Sequence, residues 1–524
     1  MRFAALLLIS TGFLLPQQQA SFDVVITGAR VVDGGGSPCF YADIGIRGDT
    51  IAAIGLLADA PSRTRIDARG LTVTPGFIDV HNHSYPAIFD QPTAPGFLLQ
   101  GVTTMIGGPD GSSPLPMKAA FDRLAAHKMS VNMALCVGHG SVRQQVLKME
   151  NRAPTPAELN RMRELVRDAM KAGAIGLSTG LFYTPANFAA TEEVIELAKV
   201  TALYGGFHVS HIRDEGNGLL DSVKETIRIG EEGGLPTQIT HHKVGGLTNK
   251  GKSVETLRLV EEARARGVDV TIDQYPYTAS HTSLGAALFP QNAFAGGNAS
   301  LLERLSAPEQ RARIKAEIVR RIEGERGGGD PKNIVLTSCA FDRSLQQKSL
   351  SDILRARGQQ PTIDNAAELA MEIQKKGGCS ATFHWIFEED IERILKYPFT
   401  MVASDGSITM AHPRSNGTFV RVLGRYVRER KVITFEDAVR KMSGLPAQRL
   451  RIYDRGLIRP GMKADLVILD PAKVADRATF EKPMELPVGI RDVLVNGRVA
   501  VRDGKITAER AGRVLYGPGY QAPK

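Results

Sequence analysis

The chain has 524 residues, of which 43% are hydrophobic and 23% charged. That is an ordinary globular balance, long enough for more than one structural unit, and it excludes extensive disorder between the two ends. The net charge of +9 is scattered through mixed-sign runs such as RRIEGER and RYVRERK. These read as solvated helix faces, so no nucleic-acid partner is expected, although a basic surface would steer small anions.

Taken in chain order, residues 1–20 carry Arg2, then an apolar run from Phe3 to Leu15, then a polar stretch. The run is short for a membrane span and predicts a secretory signal peptide cleaved near Ala20. The mature protein is therefore expected to be exported, periplasmic or secreted, with no stable membrane insertion. Residues 21–75 alternate apolar and polar positions between glycine turns, as in FDVVITGARVVDG, and residues 451–524 repeat that texture. Both ends together predict one small β-sandwich.

Residues 76–450 have a different rhythm. Eight short apolar runs, from GFIDVH to FTMVASDG, alternate with helical stretches such as PAELNRMRELVRDAMKAG. The pattern predicts a (β/α)8 TIM-type barrel. Residues 280–330 break it and read as an insertion over the barrel mouth. Cys39, Cys136, Cys339 and Cys379 are too scattered for a zinc knuckle and predict buried thiols or at most one disulfide.

In a parallel barrel, chemistry gathers where strands end. The predicted strands end in His81-Asn82-His83, near Asp110, at His211, at His241-His242-Lys243 and at Ser404-Asp405. Side chains alternate along a strand, so His81 and His83 point the same way and can grip one cation. Four imidazoles and two carboxylates at five strand ends predict a zinc-type metal site. Such a metal makes water a nucleophile near neutral pH, and Asp405 is placed to carry its proton to a leaving nitrogen. The residues thus point to hydrolysis of an amide-like bond.

With these residues in place, the chain resembles the amidohydrolase superfamily, and within it the N-acyl-D-amino-acid deacylase (D-aminoacylase) branch. The likeness covers nearly everything after residue 20 and runs through GARVVDG, PGFIDVHNH, GAIGLSTGLFYTP, SHIRDEG, ITHHKVGG, DQYPYTAS, VASDGS, HPRSNGTF and GLIRPGMKADLVILDP. PGFIDxHxH marks only the superfamily; HIRDEG with HHK and HPR points to the branch. The resemblance implies one or two zinc ions, His81, His83 and Asp405 binding one and His211 and His241 the other. It implies that Lys243, Tyr275 and Arg414 contact the carboxylate of a small N-acyl amino acid, with Tyr277 an equal candidate for the tyrosine. Two departures stand out. The branch commonly has a cysteine ligand in GNCG, whereas GGPDG here puts Asp110 in that place, either weakening the tight site or bridging two ions. The fourth predicted strand, AIGLSTGL, offers no lysine for carboxylation. The other readings kept open are a dipeptidase or cyclic-amide hydrolase on the same scaffold, and a metal-binding relative without turnover. An oligomer is compatible with all of them.

Overall fold

The computed structural model describes residues 21–522, so the expected signal peptide lies outside the described residues. Eight parallel strands form the centre of the molecule. They are Phe77–Asp79, Val102–Gly107, Asn132–Leu135 continued by Val137–Gly138, Gly176–Gly180, Phe207–His211, Thr237–Ile239, Val270–Gln274 and Thr400–Val402. Consecutive strands pair in parallel. Residues beyond the last strand close the ring on the first: Asp405 N–H donates to His81 C=O at 3.0 Å, and His83 N–H to Gly406 C=O at 2.7 Å. The barrel strands are buried almost throughout, which is why each reads as an apolar run.

The helices follow their sequence signals. Pro156–Ala172 opens with a Thr155–Glu158 capping box and ends at Gly173 with φ 118°. Its buried face is Met162, Leu165, Val166, Ala169 and Met170, the helical stripe seen in the sequence.

Both chain ends build a single sheet of nine strands. Phe22–Val31, Phe40–Arg47, Thr50–Gly55, Ser62–Asp67 and Thr72–Pro75 come from the N-terminal side; Leu466–Leu469, Ile490–Val495, Arg498–Arg502 and Lys505–Ile506 come from the C-terminal side. The expected sandwich is thus one continuous, branched sheet, since Phe22–Val31 pairs with three neighbours. The two ends meet where Thr72–Pro75 pairs antiparallel with Leu466–Leu469. Gly76 then carries the chain directly into the first barrel strand; a Cβ there would come within 2.1 Å of Thr103 Oγ1.

The interruption expected over 280–330 continues to residue 384. It holds a three-stranded antiparallel sheet in which Ser380–His384 lies between Ala279–Ser283 and Ile334–Ser338. Helices Asn298–Ser306, Pro308–Gly324 and Ile363–Lys375 accompany it, and Cys339 and Cys379 form a disulfide within it. Cys39 and Cys136 are free thiols. Among the described residues no helix is long and apolar enough to cross a membrane.

Candidate metal centre

The strand-end side chains converge. His81, His83, Asp110 and Asp405 each offer one ligand atom within 4.8 Å of the others, and Asp110, His211 and His241 form a second such group. Asp110 belongs to both. Its Oδ1 lies 3.4 Å from His81 Nε2 and from His241 Nε2, and its Oδ2 is 3.4 Å from His83 Nε2 and 3.6 Å from His211 Nδ1. Asp405 Oδ1 closes the first group at 3.2 Å from His83 Nε2 and 3.5 Å from His81 Nε2.

The backbone is bent to achieve this. Asp110, His241 and Asp405 have φ of 53°, 35° and 50°, in the left-handed region that non-glycine residues avoid. Each such bend costs on the order of 1–3 kcal/mol and persists where surroundings enforce it. Asp273 Oδ1 accepts from His241 N–H at 2.7 Å. Gly180 lets the Asp110 carbonyl approach so closely that a Cβ there would sit 2.1 Å from its oxygen. Beneath the ring, buried Asp79 accepts from Ser404 N–H at 2.8 Å, from Ser404 Oγ at 2.5 Å and from Asn82 Nδ2 at 2.8 Å, tying the first strand to the last. Burial raises its carboxyl to about 6 against those hydrogen bonds.

Orphaned polar atoms test whether a metal fits. Asp110 Oδ1 and both ring nitrogens of His211 are buried without a hydrogen-bond partner among the described residues. Buried polar atoms seldom stay unsatisfied unless a ligand completes them. Three of the four histidines have a polar group behind them, as metal-bound imidazoles do. His81 Nδ1 is hydrogen-bonded to Thr240 Oγ1 at 2.6 Å. His241 Nδ1 faces Glu215 Oε1 at 3.3 Å, and His211 Nε2 is 3.7 Å from the same oxygen. Donor set and support both suit two cations bridged by Asp110.

Charge agrees. In the metal-free protein, burial works against protonating His83 and His241, and Lys243 adds to this at His241, yet Asp110 and Asp405 raise both imidazoles to about 9. At pH 7 both are therefore protonated, and incoming metal must displace those protons. Titrating metal into apoprotein between pH 7 and 8 should release protons, and affinity should fall as pH drops below about 9. Calorimetry in buffers of different ionisation enthalpy measures this; zero proton release would contradict the arrangement.

The cluster opens into a cavity of about 460 Å³ that is also lined by Phe182, Tyr183, Glu215, Lys243, Tyr275 and Arg414. The Tyr275 hydroxyl has no partner among the described residues. The Tyr277 hydroxyl instead donates to Pro413 C=O at 3.2 Å and does not line the cavity, which separates the two tyrosines. Arg414 Nη1 stands 2.8 Å from Asp405 Oδ2, and its Nε is free of hydrogen bonds among the described residues. Lys243 lines the cavity with its ammonium already paired to Glu215 and 2.7 Å from His241 Nδ1. Burial raises the Glu215 carboxyl, but Lys243 and the histidines outweigh it and hold the group ionised.

Glu215 was missed in the sequence, although it stands four residues after His211 inside SHIRDEG. Arg326, from the inserted segment, was missed too and lines the same cavity.

Comparison with known proteins bears on this arrangement. A family model described as the amidohydrolase family matches residues 64–501. The D-aminoacylase of Alcaligenes xylosoxydans xylosoxydans is 37% identical, over 94% of this chain and 97% of the relative. The N-acyl-D-glutamate deacylase of the same organism is 36% identical, over 95% and 97%. The solved N-acyl-D-glutamate deacylase of Bordetella bronchiseptica superposes with a TM-score of 0.82 at 35% identity, over 95% of this chain and all of that one. That structure holds zinc and a phosphonate inhibitor mimicking the reaction's tetrahedral intermediate. With barrel, strand-end cluster and near-complete coverage in agreement, the chain belongs to the amidohydrolase family and is a hydrolase of amide bonds.

Proposed function

We propose that the protein removes the acyl group from N-acyl-D-amino acids, with zinc held by His81, His83, Asp110, His211, His241 and Asp405. The observation that carries this reading is a carboxylate-reading end beside the proton carrier in one cavity. Arg414 touches Asp405 at 2.8 Å, and its guanidinium carbon lies 4.8 Å from the centre of the Tyr275 ring. Similarity to D-aminoacylase, 37% identity over 94% of this chain, supports the same reading.

When bound, zinc supplies Lewis acidity, polarising the amide carbonyl and making water more acidic. The protein's own groups do the rest. Asp405 takes the proton of the attacking water on Oδ1, which faces the cluster, and delivers it to the departing nitrogen. Arg414 holds the other oxygen and so fixes the carboxylate's rotation. Burial works against ionised Asp405, yet Arg414 and His241 keep the carboxyl far below its usual range. Tyr275 and the unused Nε–H of Arg414 seat the substrate carboxylate. Lys243, paired to Glu215, lies 5.4 Å from the centre of the Tyr275 ring. Phe182 and Tyr183 wall the His211 side, their rings 5.3 and 4.8 Å from its imidazole, and exclude water.

The expected result is hydrolysis of N-acetyl-D-amino acids with little turnover of the L-enantiomers, read by chiral chromatography of the released amino acid. Hydrolysis confined to hydantoins or dihydropyrimidines would overturn the reading, because a cyclic amide has no free α-carboxylate for Arg414 and Tyr275.

A further inference from the structure

The inserted segment delivers one charged side chain into the cavity, Arg326, just beyond the end of helix Pro308–Gly324. It is 3% exposed. Its guanidinium carbon lies 3.9 Å from the centre of the Trp385 ring and 4.9 Å from that of Phe182. Trp385 directly follows the last strand of the insertion, and Phe182 comes from the barrel. Trp385 is itself pinned: its indole N–H donates to Ser280 Oγ at 2.8 Å, and its ring packs so tightly on Gly245 that a Cβ there would meet it at 2.2 Å. The plane of the guanidinium is therefore fixed.

Its hydrogen-bonding capacity is largely unused. A guanidinium carries five N–H donors. Among the described residues the only hydrogen bond it makes is a long one, 3.5 Å from Nη1 to Glu215 Oε2, and Nε has none. Glu215 is already the partner of Lys243. A buried cation left this short of acceptors is costly unless a ligand brings them.

Arg326 pairs with a different carboxylate from the one Arg414 touches. The Tyr275 ring centre lies 5.4 Å from Lys243 Nζ and 4.8 Å from the Arg414 guanidinium carbon. Arg414 works beside Asp405; Lys243 and Arg326 share Glu215. A substrate with one carboxylate satisfies only the first.

We infer that Arg326 is a specificity-determining residue that receives a second carboxylate, carried on the substrate side chain, so that the preferred substrates are N-acyl derivatives of acidic D-amino acids. The planar fork, packed against two rings, matches a carboxylate with two parallel hydrogen bonds. The inference rests on the deacylase reading and adds the identity of the side chain.

The test compares kcat/KM for N-acetyl-D-glutamate and N-acetyl-D-aspartate with that for their isosteric amides, N-acetyl-D-glutamine and N-acetyl-D-asparagine. The zinc-loaded wild type should favour the acids by at least about tenfold, because an amide offers a buried cation one acceptor and no charge. Arg326→Met should erase that preference through KM, leaving kcat on N-acetyl-D-glutamine within about threefold of wild type, and Arg326→Lys should restore part of it. The wild-type panel decides even where a variant fails to fold. Equal or better use of the amides by wild type would overturn the inference. So would equal losses on acid and amide in Arg326→Met, or a preference for N-acetyl-D-leucine, whose side chain suits the adjoining apolar cavity lined by Met149, Phe289 and Phe294. Hydrolysis of neutral N-acyl-D-amino acids without acidic preference sinks only this inference. Failure of every N-acyl-D-amino acid sinks the deacylase reading with it.

Discussion

Asp405→Asn lowers kcat by about two to four orders of magnitude, the range that a positioned general acid–base contributes. The substitution keeps the side chain's shape and one oxygen, and removes the negative charge and the ability to carry a proton at the working pH. Asp405 is 6% exposed and touches His83 on one oxygen and Arg414 on the other. An asparagine would leave Arg414 as a buried guanidinium without its anion, so some loss of stability accompanies the loss of turnover. The two effects separate by measurement. Metal content and thermal unfolding are determined on the same preparation as kcat, and the rate is compared only where both metals are retained. Full metal with wild-type turnover would remove Asp405 from proton transfer. A drop in metal content that fully accounts for the lost rate would reduce it to a ligand. The asparagine variant should also lose more in kcat than in KM, because its target is the moving proton rather than the bound substrate.

The barrel was legible because parallel strands covered on both faces are written as short apolar runs, and their polar last residues stand out. All four histidines and both aspartates could be found that way, since His81-Asn82-His83 already shows the two-residue period of a strand. The end of the insertion was not legible. NIVLTS and SATFH lie past residue 330, where the insertion was expected to have ended, yet Ile334–Ser338 and Ser380–His384 pair antiparallel in a sheet that belongs to it. Pairing direction is a tertiary property and leaves no mark in a five-residue run. Arg326 failed for a related reason. It ends RRIEGER, which reads as a solvated helix face, and only the placement of that segment against Trp385 and Phe182 buries it. Glu215 was within reach: a carboxylate one helical turn beyond a strand-end histidine is a natural support for it. Tyr275 and Tyr277 could not be separated without coordinates, because residues two apart share a strand face and only the turn after Gln274 sends Tyr277 to Pro413.

Asp110→Ala removes the side chain that, among the described residues, belongs to both candidate ligand groups, and it should cost more than any change outside the cluster. Its Oδ1 faces His81 and His241 at 3.4 Å each, and its Oδ2 faces His83 and His211. With two cations bound, Asp110 would be shared between the two histidine pairs and would offset the cations' repulsion, so its loss should weaken both sites. Changes behind metal ligands typically lower affinity by about 10–100-fold, and loss of a shared ligand should exceed that for at least one of the two ions. Dialysis against a chelator followed by elemental analysis should find two metals in wild type and one or none in Asp110→Ala, with activity falling about 100-fold or more. Asp110→Cys tests the chemistry of the bridge rather than its presence. A thiolate is softer than a carboxylate and suits zinc well. The cysteine variant should therefore hold its tighter zinc through the same dialysis and keep turnover that the alanine variant loses. Native affinity for both ions in Asp110→Ala would show that the histidine pairs bind independently, and the carboxylate between them would then be an electrostatic neighbour instead of a bridge.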